Sequence, residues 1–130
     1  MFAEAGLDNT IGLPKSLPHR RHVWNQYTVR IPEGHRDDLR KNLMEQKIGS
    51  EIYYPLGLHE QECYRSLGYI PESLPETYSA SREVLALPIF PELTEMEQSV
   101  VVRGIKSYFD ANASRRIFPA SVSEYQREAA

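Results

Sequence analysis

Apolar positions recur along the chain at two spacings, and the changes between them mark the elements. Between His22 and Ile31 every second residue is apolar except Asn25: Val23, Tyr27, Val29 and Ile31 alternate with His22, Trp24, Gln26, Thr28 and Arg30. Period two predicts a strand, closed by Pro32 and Gly34. From Arg36 to Lys47 the spacing lengthens. Leu39 and Leu43 fall one turn apart with Met44 beside them, and Asp37 and Asp38 lie where a helix dipole favours negative charge. This predicts a helix, with Gly49 as its left-handed stop. Ser50 to Pro55 returns to period two, with Ile52 and Tyr54 on one side and Glu51 and Tyr53 on the other. Leu56 to Tyr69 reads as a loop or broken helix.

Ser73-Leu74-Pro75-Glu76 has the spacing of a capping box opening a helix to about Val84. Leu85, Leu87 and Ile89 alternate as a third strand before Pro91. Thr94 and Glu97 form a second capping box. Met96, Val100, Val101, Ile105, Tyr108 and Phe109 make the apolar stripe of the last helix. Met1 to Arg21 is punctuated by Gly6, Gly12, Pro14 and Pro18 and reads as a connecting segment rather than the start of a core. The order strand-helix-strand-helix-strand-helix implies an α/β fold: a two-layer sandwich in which helices cover one side of a small three- to four-stranded sheet. The implied organisation is a connecting segment over 1–21, one domain over 22–110 and a polar tail over 111–130.

Composition narrows the function. The chain has 130 residues, 41% hydrophobic and 25% charged, enough for a single core. A net charge of -3 argues against nucleic acid as a partner, which calls for a basic stripe. The basic clusters His19-Arg20-Arg21 and Arg115-Arg116 are short and far apart. No run approaches the ~20 apolar residues that span a membrane. Met1 to Lys15 lacks the basic head and apolar run of a signal peptide. The single cysteine, Cys63, allows no disulfide within the chain and is expected as a small half-buried side chain. The expected compartment is the cytoplasm.

The densest polar and aromatic segment runs from Ile52 to Tyr64. It places Tyr53, Tyr54, His59, Gln61 and Cys63 just past a strand end, where binding groups tend to sit. His59 has two readings: a group that exchanges protons near neutral pH, or a surface or capping imidazole. Asn25 also has two. Buried on an apolar face it is either satisfied by nearby backbone or turned into a site, because an orphaned amide costs about 1–3 kcal/mol. Trp24, on the polar face, suits docking against another domain. No glycine-rich phosphate loop, metal-ligand spacing or nucleophile elbow is present.

Three segments together resemble a known family. They are HVWNQYTVRIPEGHRDDLRKNL (His22 to Leu43), IGSEIYYPLGLHEQECYRSLGY (Ile48 to Tyr69) and LPETYSASREVLALPIFPELTEMEQ (Leu74 to Gln98). In this order they are similar to the C-terminal small domain of the DegT/StrS sugar aminotransferases, from about Gly6 to Phe109. The second resembles the family's H-Y-P-x-P-x-H-x-Q stretch. The resemblance implies the aspartate aminotransferase fold and a homodimer. It also implies pyridoxal phosphate held as a Schiff base on a lysine of a large N-terminal domain, with the cofactor as electron sink. Glutamate would donate the amino group to a keto group on a nucleotide-linked sugar.

By position, Tyr54 and His59 would face the cofactor and sugar, with Asn25, Gln61 and Tyr53 as further substrate-binding candidates. Three departures stand out. Tyr53 replaces the family's first His, a variant the family tolerates. Gly57 replaces the second Pro and should loosen the loop. Glu60 replaces an apolar residue. The family's Ser-Phe-x-x-x-Lys segment is absent, and Lys15, Lys41, Lys47 and Lys106 stand in unrelated contexts. The reading that follows is a domain that captures substrate and closes over pyridoxal phosphate in a larger enzyme, with no catalytic residue of its own and no cofactor bound alone. The rival is a stand-alone module that binds a nucleotide-sugar or a protein.

Overall fold

The computed structural model describes residues 1–31 and 34–112. Its elements in chain order are β1 (Tyr27–Arg30), α1 (Arg36–Glu45), α2 (Pro75–Glu83), β2 (Val84–Leu87) and α3 (Glu95–Ala111). Short 3₁₀ turns lie at Leu58–Glu60, Glu62–Leu67 and Pro71–Ser73.

The sheet has two strands rather than three or four. β1 and β2 pair antiparallel, with Tyr27 opposite Leu87 and Arg30 opposite Val84. Two further segments touch the sheet at one residue each. Gly12 bridges Arg30 on the free edge of β1, and Glu51 bridges Ala86 on the free edge of β2. The expected second strand, Ser50 to Pro55, is thus reduced to a single bridge. The first strand begins five residues later than its alternation suggests. Trp24 has a φ of 52°, outside any strand conformation, and its amide donates to His22 Nδ1 at 3.0 Å. The third strand ends at Leu87, short of Ile89.

Period two sends Val29, Leu85 and Leu87 to one face, where they meet Leu39 and Leu43 of α1 and Val101, Val102, Ile105, Tyr108 and Phe109 of α3. Phe109, Ile105, Leu39 and Leu43 are among the fully buried side chains. Each contributes roughly 1.5–3 kcal/mol relative to exposure. The apolar stripe expected on α3 is shifted: Met96 is 76% exposed and Val100 is exposed, while Val102 takes a core position. Met44 of α1 is also exposed. α1 and α3 approach at Gly104, where a Cβ would sit 2.9 Å from Ile48 Cδ1. The N-terminal segment joins this core rather than only leading to it. Leu7 and Ile11 are buried, because two turns of backbone hydrogen bonds over residues 1–11 fold them under the sheet edge.

The helix ends follow capping chemistry, not always as expected. Thr94 and Glu97 form their box: the Thr94 amide donates to Glu97 Oε2 at 2.8 Å, and the Glu97 amide to Thr94 Oγ1 at 3.3 Å. Ser73 does not cap α2. Its hydroxyl accepts from the Ile70 amide at 3.1 Å, closing the turn before the helix, and Leu74 occupies the cap position. α1 ends in a Schellman motif in which Lys47, not Gly49, is left-handed, with a φ of 61°. The Ile48 amide donates to the Leu43 carbonyl and the Lys47 amide to that of Met44, both at 2.9 Å. The expected polar tail lies outside the described residues from 113 onward. Among the described residues no helix is long and apolar enough to cross a membrane.

Candidate functional site

A surface cavity of about 540 Å³ lies along the outer edge of β2 and past its end. Its wall comes from three segments: Asn25 and Gln26 before β1, Gly49 to Glu51 with Tyr53, and Ala86 to Phe90. The Glu51–Ala86 bridge forms its floor, with backbone hydrogen bonds of 3.0 and 2.9 Å. Arg40 of α1 steadies this floor by donating to Glu51 Oε1 at 3.0 Å and to the Ser50 carbonyl at 3.4 Å. The Ile52 amide also donates to Glu51 Oε1, at 2.9 Å. The Glu51 charge is therefore already matched. The wall thus offers amides, a phenol and a matched carboxylate beside the apolar Ile89 and Phe90. It suits a hydroxyl-rich ligand with a less polar face. Its hydroxyl and ionisable side chains are Ser50, Glu51 and Tyr53, beside the amides of Asn25 and Gln26.

The expected site residues separate in space. Asn25 and Tyr53 meet at the cavity, and Asn25 is exposed there rather than buried on the core face. Tyr54 is 68% exposed and off the cavity wall. His59 is 8% exposed and also off the wall, its Nε2 lying 3.2 Å from the Pro71 carbonyl. Gln61 is off the wall as well; it accepts a weak bond from Cys63 Sγ at 3.8 Å, and Cys63 itself is exposed rather than half-buried. Sequence reasoning missed Gln26, Ser50, Glu51 and Pro88 to Phe90. The signal was the motif run LALPIFPEL, whose Pro88 and Pro91 flank residues that leave the sheet at the cavity's rim.

Gly57 does not loosen the loop. A Cβ there would lie 2.6 Å from His59 Cε1 and 2.8 Å from His59 Nδ1, so the missing side chain is the slot in which the imidazole packs. Glu60 closes the same knot. Its Oε2 accepts from the Gly57 amide at 3.1 Å, and its Oε1 pairs with Arg82 of α2 at 3.3 Å. Burial pushes the Glu60 carboxyl upward, but the Gly57 amide, the Arg82 guanidinium and the nearby His59 outweigh it and hold the group below the usual carboxylate range. Arg82 in turn stacks over the Tyr78 ring at 3.4 Å. Trp24 stacks with both His22 and Tyr27, with centroids 3.9 and 5.5 Å away.

Comparison with known proteins defines the class. The model of the DegT/DnrJ/EryC1/StrS aminotransferase family matches residues 2–106. The chain belongs to this family. It is 43% identical over 106 residues to a pleiotropic regulatory protein of Geobacillus stearothermophilus, covering 82% of this chain and 28% of that protein. It is 35% identical over 104 residues to a dTDP-3-amino-3,4,6-trideoxy-alpha-D-glucose transaminase of Streptomyces venezuelae, covering 80% and 27%. Among solved structures it resembles S. venezuelae DesV in complex with a ketimine intermediate, with a TM-score of 0.72, 34% identity and coverage of 82% and 29%. It also resembles NtdA of Bacillus subtilis with bound cofactor PMP, with a TM-score of 0.68, 25% identity and coverage of 84% and 25%. The chain thus spans between a quarter and a third of the length of these relatives.

The residues present do not fit a covalently held pyridoxal cofactor. A lysine suited to that task is desolvated in an enclosed pocket. Lys15, Lys41, Lys47 and Lys106 are all exposed, none lines the cavity, and Lys106 pairs with Asp110 at 3.1 Å.

Proposed function

We propose that this chain acts as the C-terminal small domain of a pyridoxal-phosphate-dependent nucleotide-sugar aminotransferase. In that enzyme it covers the cofactor and presents the Asn25–Tyr53 cavity to the sugar. The lysine that holds the cofactor, and the chemistry the cofactor supplies as electron sink, belong to a large N-terminal domain in a homodimer. Glutamate is the amino donor. This chain's residues bind and orient the sugar and exclude water. The domain takes in residues 22–110 together with Leu7 and Ile11 of the segment 1–21, which arrives from the large domain.

One observation carries the reading. Leu56, Leu58, Leu67, Ile70 and Leu74 are all exposed along the stretch that follows the cavity wall at Tyr53. An apolar run of this size on a small domain is costly in water and marks a surface made to be covered. In a family whose members are about three times longer, the rest of the enzyme is the natural cover.

A second reading has one observation in its favour: the cavity wall combines the polar Asn25, Gln26, Ser50 and Tyr53 with the apolar Ile89 and Phe90. A non-catalytic module could bind a nucleotide-sugar there. Calorimetry with dTDP- and UDP-linked sugars separates the two. The capping role predicts weak binding by the chain alone, because most contacts are supplied elsewhere. Tight binding by the chain alone would favour the module.

A further inference from the structure

The segment that carries Tyr53 to the cavity is held at two places. Its start is fixed by the Glu51–Ala86 bridge. Its end is fixed by the knot on α2, where Glu60 joins the Gly57 amide to Arg82. At the centre of that knot sits His59, a residue the resemblance would place against cofactor and sugar. Its geometry does not suit that role. The imidazole is 8% exposed, its Nε2 is engaged with the Pro71 carbonyl at 3.2 Å, and its Nδ1 is buried without a partner against Gly57. A carbonyl accepts, so Nε2 carries the proton and donates. The ring is therefore a cross-brace between two 3₁₀ turns, Leu58–Glu60 and Pro71–Ser73.

We infer that His59 is a positioning residue: by bracing the Leu58–Glu60 turn against Pro71 in the slot left by Gly57, it fixes the end of the Tyr53–Leu56 span and so sets where Tyr53 stands on the cavity wall. This deepens the reading of the cavity as the sugar-facing wall and rests on it for its functional meaning. A span tethered at one end only would sample many conformations and offer Tyr53 to a ligand at an entropic cost. A span tethered at both ends presents the phenol preorganised. His59 and Pro71 lie 12 residues apart in sequence, and the bond between them closes the loop between the two turns.

The test uses this 130-residue chain without ligand or cofactor, so it can fail while the aminotransferase reading stands, and the reverse. Backbone order parameters are measured by nitrogen relaxation for the wild type, His59→Ala and His59→Gln. The amide of Gln can reach the Pro71 carbonyl as imidazole Nε2 does. In the wild type Tyr53 and Tyr54 should show rigid values near about 0.85, and in His59→Ala they should fall below about 0.6. Val29 and Leu85 in the sheet should not change, and His59→Gln should restore the rigid values. The inference is overturned if Tyr53 is already mobile in the wild type, if His59→Ala leaves it rigid, if the sheet loosens equally, or if Gln does not restore order. A second measurement needs no variant. Diethyl pyrocarbonate should modify the exposed His19 and His22 at least about tenfold faster than His59, since a braced, buried ring reacts only on local opening. Equal rates would overturn the inference.

Discussion

Gly57 and His59 are fitted to each other: the imidazole occupies the space that any Cβ on residue 57 would fill, at 2.6 Å from its Cε1. The glycine is not there for its backbone freedom. Its φ of -61° and ψ of 147° are open to every residue, proline included. What the position requires is an empty face and an amide hydrogen for Glu60.

Gly57→Ala therefore displaces a buried ring and should lower stability by about 1–3 kcal/mol, the usual range for overpacking. Gly57→Pro should cost more, because it also removes the amide that donates to Glu60 at 3.1 Å. Urea unfolding followed by circular dichroism checks both, and a Pro variant as stable as the wild type would contradict the packing account.

Lys47 offers the opposite case. It holds a left-handed φ of 61° in the Schellman motif that ends α1. Left-handed backbone costs an L-residue roughly 1–2 kcal/mol, and glycine avoids that strain. Lys47→Gly should raise stability by about 1 kcal/mol, net of the glycine's greater freedom when unfolded. The shift in urea midpoint measures it. A loss of stability would mean that the lysine side chain supports the helix end.

Acid should weaken the fold through identified carboxylates. The side chain and amide of Thr94 hold Glu97 below its ordinary value of 4.5, and the Gly57–Arg82 setting does the same for Glu60 against burial. A carboxyl whose folded value is depressed binds fewer protons when folded. Its contribution is complete above the unfolded value, near pH 4.5, and is lost as pH falls through the lower folded value. Melting temperatures between pH 7 and pH 3 should stay level down to about pH 5 and then fall. The double variant Glu60→Gln, Glu97→Gln should start lower and lose less on acidification. A parallel fall in both proteins would show that other groups govern the acid limb.

How much was legible in the sequence depended on the range of the forces involved. The Thr94–Glu97 box is local, spans three residues, and formed as written. So did the helical register of Leu39 and Leu43. Alternation over His22 to Gln26 was a weaker guide, because a strand also needs a partner and β2 is only four residues long. Ser73 had two amides within reach, and the earlier turn took its hydroxyl.

The site divides in the same way. Asn25 broke an apolar pattern and does line the cavity, with Tyr53 beside it. His59, which the motif would set at the site, lies buried off the cavity wall. Its burial depends on Pro71 and Gly57 meeting across two turns, which no spacing rule states. Ser50 and Glu51 reach the cavity through the Glu51–Ala86 bridge, between segments 35 residues apart, and through Arg40 of α1.

The proposed role gives this polypeptide the sugar-facing cavity, while its four lysines are all exposed and off that cavity. Mixing it with pyridoxal phosphate, reducing with borohydride and weighing the intact protein tests this directly. The account predicts only sparse adducts, scattered over Lys15, Lys41, Lys47, Lys106 and the amino terminus and growing with reagent excess. One adduct per chain, saturating on a single lysine, would contradict it.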